Sequence, residues 1–132
     1  MRWLRVGYVF NWGMDYRRVL RMLALRDPGF FDLVGPDEAE NVLVSQLEAG
    51  QAALVRLGAL IALDAELVSY IHVTAVGRAA GVTNEELVGT LVAVIPDVGG
   101  DRAVSAAHKL GLAIGYDVEA ALETHNHRDS HP

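Results

Sequence analysis

Histidine is the side chain in this sequence best suited to chemistry, because its charge changes near neutral pH and there is no cysteine to share the role. His72 lies in the run Val68-Ser69-Tyr70-Ile71-His72-Val73-Thr74-Ala75-Val76. At helical spacing, Val68, Ala75, Val76 and Ala79 share its face, which aims the imidazole at an apolar, small-residue surround. An imidazole so placed can act as a general acid or base, with the hydroxyls of Ser69, Tyr70 and Thr74 close along the chain. The plainer reading is a core histidine bonded to a main-chain carbonyl.

The other histidines point to less. His108 has Lys109 beside it and Asp101 two turns before it, the setting of a half-exposed residue. His125, His127 and His131 lie in a polar tail without acidic or sulfur support, so no metal is expected there. The absence of cysteine removes disulfides, thiolate metal sites, thiol nucleophiles and CxxC redox chemistry together. No GxGxxG, P-loop, HExxH or GxSxG run occurs, and no cofactor is expected.

The elements that must carry these residues read as helices. Asp15 caps a run with Tyr16, Val19, Leu20 and Leu23 on one stripe, which Asp27-Pro28-Gly29 stops. Phe30, Phe31 and Leu33 form a short turn with the rings turned inward. Gly35-Pro36-Asp37-Glu38 starts a helix that carries Val42, Leu43 and Leu47 to about Gly50. Gln51–Leu63 follows, and Asp64 caps Ala65–Ala80, which Gly81 ends. Thr83 and Glu86 make a capping box for Leu87–Ile95, with Pro96 as the stop. Asp101 caps Ala103–Ile114, Gly115 closes it, and Asp117 opens a last turn or two at Val118–Glu123.

No βαβ alternation appears, so the expected fold is all-α: a single domain of about six to seven helices over residues 14–123. Residues 124–132 read as a frayed polar tail. Residues 1–13, MRWLRVGYVFNWG, read as an extension ahead of a start at Met14. A faint repeat runs through the domain. Ala53–Ile61 resembles Glu86–Ile95, and Val-Ser-x-x-His occurs at both Val68–His72 and Val104–His108. Two such hairpins would pack as a pseudo-symmetric four-helix core.

The chain has 132 residues, a net charge of −6 and 52% hydrophobic residues, which suits a packed domain rather than a disordered one. Its apolar runs fall short of the ~20 residues of a membrane span. Residues 1–26 hold six arginines against one acid, Asp15, and read as a solvated helix face; neither a nucleic acid nor a membrane is expected as partner. Arg5 interrupts the apolar stretch Trp3–Phe10 and no cleavage site follows, so the expected location is cytoplasmic. Ala and Gly recur along the helices, which lets backbones approach but limits the area each buries. Further burial between copies is therefore expected.

Residues 53–100, ALVRLGALIAL…SYIHVTAVGRAAGVTNEELVGTLVAVIPDVGG, resemble the carboxymuconolactone decarboxylase family, which includes alkylhydroperoxidase D-like proteins. His72-Val73, the Ala79-Ala80-Gly81-Val82-Thr83 turn, the Glu85-Glu86-Leu87 opening and the Gly99 loop carry the likeness, which extends over roughly residues 50–122. The resemblance implies an alkylhydroperoxidase D-like helical bundle assembling as a homotrimer or homohexamer. It departs at the thiols. The peroxidase branch has a CxxC pair where Ala65 and Val68 stand, and a proton-relay glutamate near Ala53, so thiol peroxidase chemistry is excluded. The decarboxylase branch needs no cysteine. It implies a cofactor-free lyase or small-molecule binder using His72 in an inter-helix pocket, with a small organic acid or lactone as ligand. Arg56 and Arg78 are the basic residues near this core. The alternative is a catalytically silent oligomeric structural or binding protein.

Overall fold

The computed structural model describes residues 15–35 and 37–129. The extension 1–13, the start at Met14, Pro36 and the end of the tail lie outside them. Every regular element described is a helix: α1 (Tyr16–Ala24), α2 (Pro28–Val34), α3 (Glu38–Ser45), α4 (Ala49–Leu63), α5 (Leu67–Ala79), α6 (Asn84–Val98), α7 (Gly100–Ile114) and α8 (Val118–Asp129). The class is all-α, with eight helices among the described residues against the six to seven expected. They separate into two compact units, dividing between Glu48 and Ala49.

In the first unit an aspartate opens each helix. The carboxylates of Asp15, Asp27 and Asp37 accept from the backbone N–H of Arg17, Phe30 and Glu40 at 3.1, 2.9 and 3.1 Å. Each thereby satisfies a first-turn donor and places negative charge at the positive end of the helix dipole. α3 ends at Gln46, whose φ of 60° turns the chain left-handed, so Leu47 falls outside the helix expected to reach Gly50. Phe30 is buried but Phe31 is exposed, their rings edge to face at 6.5 Å. Only one of the two rings turns inward. In α1 no residue is buried: the stripe Tyr16, Leu20 and Leu23 faces solvent.

The second unit is built from two hairpins, α4–α5 and α6–α7. α4 packs on α5 and α6, and α7 closes the ring against the same two helices. Leu57, Ile61, Tyr70, Leu87, Leu91 and Leu110 fill the centre. The faint repeat maps onto this arrangement. Setting Ala59–Ile61 on Ala93–Ile95 brings Ala53 and Leu57 onto Leu87 and Leu91. Setting Val68 on Val104 brings Tyr70 and Thr74 onto Ala106 and Leu110. All of these are buried, so the two hairpins turn matching faces to the core.

Several boundaries differ from the sequence reading for local reasons. Asp64 does not cap α5; Glu66 stands at that position without a side-chain cap bond. α6 runs through Pro96 to Val98 instead of stopping. Proline forfeits only its own N–H there, in the last turn, where little helix remains to disrupt. Gly99, at φ 83°, then serves both helices: its N–H donates to Ile95 and its carbonyl accepts from Ala103. α7 therefore begins at Gly100, and Asp101 sits inside its first turn rather than capping it. The Thr83–Glu86 capping box forms as read. α8 extends to Asp129, where His125 meets Asp129 one turn on at 3.1 Å, so 124–129 is helix rather than frayed tail.

Candidate functional site

α5 carries His72, and its packing decides where the imidazole goes. Tyr70, Val73, Thr74 and Gly77 are buried. At about 100° per residue, His72 lies about 200° round the helix from both Tyr70 and Thr74. It is exposed, on the opposite face from the core. Its apolar surround is real: Val68 is 71% exposed and Ile71 49%, and Ala75, Val76 and Ala79 are exposed with them. That surround is the outside of the bundle, which corrects the expectation of an inward-pointing ring.

The nearby hydroxyls turn elsewhere. Thr74 Oγ1 donates to the carbonyls of Tyr70 at 2.8 Å and Ile71 at 3.1 Å, along its own helix. Tyr70 is wholly buried, and its hydroxyl has no hydrogen-bond partner among the described residues. Burial, and secondarily the charge of Asp64, push the phenol above its ordinary pKa. Ser69, half-buried, is the only one of the three not enclosed by the core.

A second polar cluster joins the two hairpins, and the sequence reading missed it. Asp64 follows α4 in a left-handed conformation, φ 50°. Its Oδ1 accepts from Ser105 Oγ at 2.8 Å and from Lys109 Nζ at 3.2 Å, both on α7. Lys109 also donates to the Ala65 carbonyl at 2.8 Å. Those bonds, the serine's foremost, hold the Asp64 carboxyl below the usual carboxylate range, with Lys109 and Arg102 adding charge. Only the one-turn spacing of Ser105 and Lys109 hints at this in the sequence. Their common partner lies in another hairpin.

The remaining candidates are dispersed. Arg78 clamps the bundle, one guanidinium nitrogen donating to Asn84 Oδ1 at 2.8 Å and to the Ile114 carbonyl at 3.1 Å. Arg56 is half-buried on α4, as is His108 on α7. Of the positions a thiol peroxidase would need, Ala53 is in the core, Ala65 receives Lys109 through its carbonyl, and Val68 faces out beside His72. Among the described residues no three His, Asp or Glu side chains gather as a metal site. No helix among them is long and apolar enough to cross a membrane.

No family model, curated protein or solved structure matches the chain.

Proposed function

We propose that this chain is a self-associating helical protein of the carboxymuconolactone decarboxylase type, with the alkylhydroperoxidase D-like bundle. In this reading His72 is the working group at a boundary between copies. One observation carries it: an exposed imidazole midway along an apolar stripe, with Val68 one turn before it and Val76 one turn after. A stripe of that kind is costly to leave in water. A second copy laid over it would enclose His72 in an apolar surround, where an imidazole can pass a proton to a bound ligand away from bulk water. The ligand class is a small organic acid or a lactone. With no thiol in the chain, the chemistry is proton delivery rather than disulfide exchange.

The second reading, a catalytically silent oligomer, draws on the same stripe. Between Glu66 and Arg78 the only titratable residues are Tyr70 and His72, and Tyr70 belongs to the opposite face. A thermal-shift series with lactones separates the two readings. The enzyme or binder reading expects a lactone that stabilises the wild type and leaves His72→Ala unmoved. Equal stabilisation of both chains, or of neither across the series, supports the silent oligomer.

A further inference from the structure

Against the expectation from sequence that no membrane is a partner, we propose that α1 is a docking element for an anionic lipid surface, lying in the plane of the membrane interface. The chain is acidic, at −6, yet from Tyr16 to Arg26 it carries four arginines and no acid; Asp15 and Asp27 flank the run, and Asp15 pairs with Arg17 at 3.5 Å. The helix sorts these residues by side. Taking about 100° per residue, Arg17, Arg18 and Arg21 fall within one half of the helix, and Tyr16, Val19, Leu20 and Leu23 fall in the other.

In a water-soluble bundle that apolar half would be packed away. Here it is not. Tyr16 is 65% exposed, Leu20 59% and Leu23 41%, and Leu25 just beyond is 81% exposed. Arg17 Cζ stands 5.0 Å from the centre of the Tyr16 ring, so cation and aromatic sit together at the edge of the stripe. A basic face opposite an exposed apolar face, on a helix too short to span, is the pattern of a helix resting at the headgroup level. The arginines meet lipid phosphates while the leucines enter the acyl boundary.

Charge complementarity selects the partner. A nucleic acid matches the arginines equally well but gives Leu20 and Leu23 no reason to face outward. A neutral bilayer would take the leucines but not the arginines. Spanning is a separate matter, since α1 has nine residues. This inference concerns the first unit and is independent of His72.

Co-sedimentation of the full chain with vesicles tests it. Vesicles of phosphatidylcholine with phosphatidylglycerol are expected to pull the chain down, and pure phosphatidylcholine vesicles are not. Binding is expected to weaken as salt rises. Leu20 is exposed, so Leu20→Asp leaves the core intact; it is expected to lower the partition at least about tenfold. Arg18→Ala with Arg21→Ala is expected to lower it about thirtyfold. No binding to the anionic vesicles overturns the proposal. So does unchanged binding by Leu20→Asp, which would mean surface charge alone. Binding of a duplex oligonucleotide that Leu20→Asp leaves intact, without vesicle binding, assigns the helix to nucleic acid instead.

Discussion

Asp64 ties two helical hairpins together through a single carboxylate oxygen, and that gives it a pH signature. Its pKa is depressed by Ser105 and then by Lys109. The folded chain therefore releases that proton at lower pH than the unfolded chain does. The stabilisation is complete above the ordinary carboxylate range and vanishes as pH falls through the folded value. Asp64→Asn is expected to lower Tm at pH 7, with the gap from wild type closing as the pH drops through the carboxylate range. A gap that stays constant in acid would mean the tie acts through shape alone. The left-handed backbone at Asp64 belongs with this role: aspartate tolerates φ 50° better than most residues. Nothing in the sequence marks Asp64 as anything but a helix cap, because Ser105 and Lys109 are brought to it by folding. His72 stands out by its chemistry, and only its direction required the structure.

At the scale of elements, α5 explains that difference. Val68, Ala75, Val76 and Ala79 form one apolar stripe, while Tyr70, Val73 and Gly77 with Thr74 form another. Amphipathicity alone therefore cannot choose the buried face. Tyr70 takes it through size, and Thr74 can follow because its hydroxyl bonds back to its own helix. Elements with strong end signals were legible. The Thr83–Glu86 box marks the start of α6 and Gly115 the end of α7 as expected, whereas the end of α6 and the start of α7 differ, because a proline in the final turn does not break the helix it ends. The α7–α8 turn is legible as a stop at Gly115 and a start at Asp117, but not as a close approach to Gly111. In it, a Cβ added at Gly111 would lie 2.6 Å from the Tyr116 carbonyl oxygen and 2.9 Å from Val118 Cγ2. Gly111→Ala is expected to destabilise the fold by about 2 kcal/mol, measured by denaturant unfolding. A neutral result would mean that α8 is not docked as described.

Large apolar side chains stand on the outside of all four helices that form the core of the second unit. Val55 and Leu63 on α4, Val68 on α5, Val92 on α6 and Val104 on α7 are each more than 60% exposed. Helices that are apolar nearly all round are normally enclosed, and these are too short to be enclosed by a bilayer. The high Ala and Gly content is what raises the expectation of association from the sequence. The particular faces were not readable, because they depend on which stripe each helix turns to its own core. Light scattering at micromolar concentration, on wild type and on Val68→Asp, tests the central claim that another copy covers the outer face of α5. The expected wild-type mass is a multiple of 14.3 kDa, with a lower one for Val68→Asp and its helical circular dichroism unchanged. A wild type that is monomeric, or a Val68→Asp chain that assembles just as fully, would contradict it.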